Sequence, residues 1–146
     1  MKVKECMCDK VEYLSTTNTV KECAELMSSK HIGCVPVCDK MNNIVGLVTD
    51  RDLILRSIAC GKDAIHTPLK DVMSTNIYSC PEDTDVEDAQ KIMSENQIRR
   101  LPITDENKKI VGIITLANLC TNKNINTNEV GKTLENICDC DNKNAE

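Results

Sequence analysis

The chain contains no tryptophan and no phenylalanine, and its only tyrosines are Tyr13 and Tyr78. A core must therefore be assembled from Ile, Val, Leu, Met and Ala, and the β-branched members of that set suit buried strands. Aromatic stacking is largely unavailable beyond those two rings, so contacts to a planar ligand would be mainly apolar packing and backbone hydrogen bonds. There is also no long basic run. With a net charge of −5, the chain lacks the clustered Lys and Arg from which phosphate-backbone binding draws its affinity, which argues against nucleic acid. No stretch of roughly 18 apolar residues could span a bilayer, and the N-terminus has no secretory-type apolar segment, so a cytoplasmic, membrane-free protein is expected. Two histidines, no Walker loop and no paired nucleophile and base leave no recognisable catalytic constellation. An enzyme is the weakest reading.

Cysteine, in contrast, is abundant, with ten in 146 residues. In a cytosolic chain reduced thiols are the default. Cys23, Cys34 and Cys38 fall in apolar helix-like or strand-like stretches, where a free thiol behaves as a small hydrophobe. Cys6 with Cys8 and Cys138 with Cys140 could offer four thiolates if the termini met, but their one-residue spacing departs from the usual zinc pattern. No metal site is expected.

The dominant feature is a duplication. Residues 3–53 realign on 69–119 at a constant offset of 66 without insertion, pairing Met7 with Met73, Val20 with Val86, Met27 with Met93, Ile32 with Ile98, Pro36 with Pro102 and Asp39 with Asp105. The densest match sets Ile44-Val45-Gly46 on Ile110-Val111-Gly112, followed by Thr49 on Thr115 and Leu53 on Leu119. Hydrophobic periodicity predicts strand, helix, strand, strand, helix in each copy. In the first these are a short strand over 11–14, a helix over 20–30 capped by Thr19, a strand pair over 34–38 and 44–48, and a helical stripe through Leu53, Ile54, Ser57 and Ile58 that stops near Gly61. In the second they are 77–79, 86–97, 100–104, 110–114 and a helix opening at Leu116. The chain divides into repeat 1 (1–60), a connector (61–68), repeat 2 (69–120) and an extension (121–146) that is helical through Val130, Leu134 and Ile137 and then frayed. One such repeat cannot cover both faces of its sheet, so the two copies should pack on each other.

The turn after Gly46 carries the most chemistry. Glycine permits close backbone approach, Thr49 could meet a phosphate or ribose oxygen at a helix start, and Asp52 could accept hydrogen bonds from ribose hydroxyls. The same pair also reads as a helix capping box, and spacing does not separate the two roles. The second copy has Thr115 and Asn118 there, without the charge, and Leu116 and Ala117 in place of Asp50 and Arg51. Arg99-Arg100 replaces Gly33-Cys34, setting two guanidinium groups at a strand entrance, where they either face an anion or stay solvated beside nearby acids.

The strands Val35-Pro36-Val37 and Leu101-Pro102-Ile103, with the segments 46–53 and 112–119, resemble the CBS domain family, in which two repeats form a Bateman module. The resemblance covers residues 1–120, and the chain is most similar to small stand-alone prokaryotic CBS-pair proteins. It implies an α/β (α+β) fold of two β-α-β-β-α repeats packed as a pseudo-twofold pair. It also implies a regulatory adenosine-nucleotide sensor (AMP, ADP or ATP) with ligand between the repeats. Carried onto this sequence, the ligand-binding set is Gly46, Thr49, Arg51, Asp52, Arg99, Arg100, Thr115 and Asn118. An adenine slot would be lined from Val35, Pro36, Leu101, Pro102, Ile77 and Tyr78. Tyr13 and Tyr78 are offset by 65 and need not be equivalent. The resemblance further implies a homodimer formed through helical faces. The alternative is a docking protein that regulates a partner enzyme or transporter without ligand.

Overall fold

The computed structural model describes residues 1–139 and resolves two compact units. The first unit is Glu12–Ile77, and the second combines Met1–Val11 with the chain from Tyr78 onward.

The first unit follows the sequence pattern closely. Strand β1 (Leu14–Ser15) leads to helix α1 (Val20–Lys30), then β2 (Cys34–Cys38), β3 (Ile44–Thr49) and α2 (Asp50–Leu53). Strand order is β1-β2-β3, with β1 parallel and β3 antiparallel to β2. Every residue of β2 is buried. Pro36 is tolerated in this central strand because the two-residue β1 pairs with Val37 and Cys38 only, so no ladder bond is asked of the missing N–H on that side. Helix α1 begins in a capping box: Glu22 N donates to Thr19 Oγ1 at 3.2 Å, and Thr19 N donates to Glu22 Oε2 at 3.4 Å. It ends at His31, which adopts the left-handed conformation at φ 54°. Val20, Cys23 and Met27, spaced at helical period, pack with Val35, Val37, Val48, Leu53, Leu69 and Val72.

The second unit repeats this plan with β4 (Cys80–Pro81), α3 (Val86–Asn96), β5 (Arg100–Thr104), β6 (Ile110–Thr115) and α4 (Leu116–Thr121). It adds α5 (Thr127–Cys138), which packs on α3 and α4. Val130 and Ile137 of α5 join the core with Met93, Leu101, Ile103 and Ile114. Thr133, also buried, donates to Gln90 Oε1 at 3.1 Å, whereas Leu134 stays exposed.

Two expectations are corrected, and two further features were not anticipated. The opening strands lie at 14–15 and 80–81, later than 11–14 and 77–79, because only there does the chain run beside β2 and β5. The stripe through Leu53, Ile54, Ser57 and Ile58 does not lie on one face. After Leu53 the helix widens to π-type winding over Ile54–Ile58, with Ala59 N donating to Ile54 O at 2.9 Å. Leu53 and Ser57 turn inward, while Ile54 and Ile58 are 55% and 68% exposed. The connector is docked on the first unit, with Val20 N donating to Thr67 O and Leu69 N to Asn18 O. Finally, the sequence repeats are not the compact units. Residues 1–11 pack with repeat 2, where Val3 is fully buried and Cys8 bridges Ile113, and residues 67–77 pack with repeat 1, where Ser74 bridges Leu47. Each strap shields the outer edge of β6 or β3.

Candidate functional site

Antiparallel register brings the candidate residues of each unit to one strand end. In the first unit Thr49 faces Cys34, and Asp50 N donates to Gly33 O at 3.1 Å. In the second, Thr115 faces Arg100, and Leu116 N donates to Arg99 O at 3.1 Å. The two arginines thus stand at the start of α4, beside Thr115 and Asn118. The first unit has Asp52 at its corresponding helix start and no arginine at 33–34. The carboxylate and the arginine pair belong to different units, each with its own Thr-led turn.

Both turns are capping boxes. Thr49 N donates to Asp52 Oδ2 at 2.9 Å, and Asp52 N donates to Thr49 Oγ1 at 3.1 Å. The remaining Asp52 oxygen, Oδ1, lies 3.8 Å from Arg56 Nε. Arg56 also donates from Nη1 to Val72 O and Ser74 Oγ, both at 3.3 Å, which ties the carboxylate to the strap. Sequence reading missed Arg56, although its i,i+4 spacing from Asp52 was visible. In the second unit, Asn118 Oδ1 accepts from both Thr115 N (2.9 Å) and Thr115 Oγ1 (2.8 Å), and its amide contributes no charge. Arg51 is exposed at the start of α2.

Gly46 has a different neighbour from the one anticipated. A Cβ there would lie 2.2 Å from Met73 Sδ, and one on Gly112 would lie 2.3 Å from Met7 Sδ. The close approach these glycines permit is made by thioethers of the straps. Val35 and Leu101 are fully buried in the cores, and Pro36 and Pro102 are buried beside them. Ile77 closes the first unit, and Tyr78 opens the second, packed against its core.

Arg99 reaches the end of α5, its Nη2 lying 3.5 Å from Cys138 Sγ. Gln97 Nε2 donates to Asn136 O and Asp139 O at 3.4 and 3.3 Å. These contacts join residues about 40 apart and carry no sequence signal. An open groove of about 430 Å³ between α3 and α5, lined by Gln90, Lys91, Glu129 and Lys132 among others, contains none of the anticipated ligand residues.

The buried cysteines, Cys23, Cys34, Cys38 and Cys80, behave as apolar residues. Cys23 has no exposure, and burial, with a further contribution from Cys34, pushes its thiol up to about 11. Burial also raises Cys38 and Cys80. Cys140 lies outside the described residues; among those described, no three His, Cys, Asp or Glu side chains gather as metal ligands. No helix among the described residues is long and apolar enough to cross a membrane.

The duplicated β-α-β-β-α plan and its paired Thr-led turns define a tandem pair, and the CBS domain model matches residues 3–58 and 69–122. The chain belongs to the CBS domain family. It is 40% identical over 135 residues to the CBS domain-containing protein YhcV of Bacillus subtilis, covering 92% of this chain and 94% of that protein. Among solved structures it is similar to the CBS domain protein TA0289 of Thermoplasma acidophilum (TM-score 0.81, 28% identity, 93% of this chain and 75% of that one). It also resembles CBSX2, solved in complex with AMP (TM-score 0.70, 27% identity, 80% of this chain and 91% of that one).

Proposed function

We propose that the chain is a regulatory module that binds an adenosine nucleotide. The observation that carries this reading is the register pair Arg100–Thr115, which sets Arg100 across from the residue that opens α4, with Arg99 next to it in the chain. Guanidinium groups bind phosphate in a bidentate, charge-assisted way. The similarity to CBSX2, a structure containing AMP, supports the same ligand class. Arg99, Arg100 and Thr115 serve phosphate. In the first unit's own turn, Asp52, with Thr49 and Arg51 beside it, offers a carboxylate suited to ribose hydroxyls. Adenine packs on aliphatic side chains, because Tyr78 is committed to a core and Tyr13 is exposed. Regulation follows if the ligand prefers one arrangement of the module over another.

Thermal unfolding against AMP, ADP, ATP, adenosine and GMP tests the proposal. A ligand at about one hundred times its Kd adds roughly 2.7 kcal/mol, which raises the midpoint by about 5–10 °C at this size. Absence of any shift would reject nucleotide binding.

A second reading, self-association without ligand, is favoured by one observation: Ile54, Leu55 and Ile58 leave three large aliphatic side chains exposed along the π-wound segment. Sedimentation of the wild type should then report a dimer, and Ile58→Glu a monomer. A monomeric wild type at micromolar concentration would remove this reading.

A further inference from the structure

The last turn of α5 meets Arg99, the residue that precedes β5. We propose that the C-terminal end of α5 is an autoinhibitory latch, holding Arg99 in a weak contact that an anionic nucleotide must displace. The inference rests on the nucleotide reading above and adds a regulatory element to it.

The latch is anchored from below. Ile137 is buried in the core, and the buried Thr133 donates to Gln90, which fixes α5 against α3. Its end is then pinned by Gln97, the left-handed cap of α3, whose side chain donates to Asn136 O and Asp139 O. With α5 so placed, Cys138 Sγ lies 3.5 Å from Arg99 Nη2. Two physical features draw a guanidinium to this spot: the sulfur, and the negative end of a helix twelve residues long. Neither satisfies it well. Sulfur is a weak acceptor, whereas a phosphate offers charge-assisted, bidentate bonds to the same five N–H groups. The contact is strong enough to orient Arg99 and weak enough to be exchanged. Whatever free energy it contributes must be surrendered on binding, so nucleotide and latch are reciprocally coupled. The first unit has no counterpart, since Gly33, without a side chain, stands at the position equivalent to Arg99.

Calorimetric titration of the full chain with AMP and with adenosine tests the latch. Cys138→Ala removes the acceptor, and the loss of one modest hydrogen bond should tighten AMP by about 2- to 10-fold while leaving adenosine unchanged. Cys138→Ser, which keeps an acceptor, should stay close to wild type. Unchanged AMP affinity in Cys138→Ala, or equal gains for AMP and adenosine, would overturn the latch while leaving the nucleotide reading intact. If AMP bound neither wild type nor variants, the nucleotide reading itself would fall and the latch with it. Gln97→Ala frees the same turn without altering Cys138 and should tighten AMP in parallel; failure to do so would also count against the latch.

Discussion

Met73 Sδ occupies the space that a side chain at residue 46 would need, and Met7 stands in the same relation to Gly112. Each strap therefore presses a flexible thioether onto bare backbone. The Cβ of a Gly46→Ala variant would also meet Met73 Cβ at 3.2 Å, so moving the sulfur alone does not relieve the contact. Overpacking of this kind costs about 1–3 kcal/mol. Gly46→Ala should lower Tm by several degrees, and the double variant Gly46→Ala/Met73→Ala should lose less than the sum of its parts, because the two sites share one contact. Additive losses in thermal melts would show that Met73 is not the obstacle.

Asp52 caps α2 and, in the proposed function, also accepts from ribose. Asp52→Asn keeps an oxygen for Thr49 N and reproduces Asn118, so stability should change by less than about 1 kcal/mol. Its charge is gone, and the AMP dissociation constant should rise about tenfold, in line with the loss of charge-assisted acceptance. Titration and urea melts of one preparation would separate these effects; unchanged affinity would confine Asp52 to capping.

Ser57 is fully buried, and among the described residues its hydroxyl has no hydrogen-bond partner. Burying an unsatisfied hydroxyl costs roughly 1–3 kcal/mol. Ser57→Ala should therefore be more stable than wild type, an uncommon direction for a core substitution. A lower urea midpoint would mean that the hydroxyl is satisfied in solution.

Cys23 links stability to alkaline pH. Its folded thiol, held at about 11 against an ordinary 9.0, stays neutral where the unfolded thiol ionises. The unfolded state therefore binds fewer protons between those values, and stability present below pH 9 is lost as pH rises toward 11, by roughly 2–3 kcal/mol. Urea midpoints measured from pH 8 to 10.5 should fall, and Cys23→Ala should flatten the slope. An equal slope in the variant would assign the effect to other groups.

Much of this architecture was legible in the chain. Val20, Cys23 and Met27 mark α1 by period, and Thr19 with Glu22 sets its start. The gapless offset announced two copies, and the pairing of Thr49 with Asp52 was visible as a capping box. Of the candidate residues, Thr49, Asp52, Thr115 and Asn118 stand at strand-to-helix turns, and Arg99 and Arg100 stand at the entry of β5. Arg56 and Cys138 were not recognised beside them. Ile54 and Ile58 were misplaced because a π turn adds a residue per ring, which no side-chain periodicity announces.

By itself the sequence determined what neighbouring residues enforce on one another: helix caps, strand periods, the repeat, and membership in a family that spans most of the chain. Tertiary structure decided which segment lies on which. Residues 1–11 pack with the second repeat and 67–77 with the first, Met7 and Met73 fill the glycine sites, and α5 reaches Arg99. The physical reason is that caps and periods act over three or four residues of one element, whereas a strap on a strand edge, or a sulfur against a guanidinium, depends on surfaces that exist only after the chain has folded.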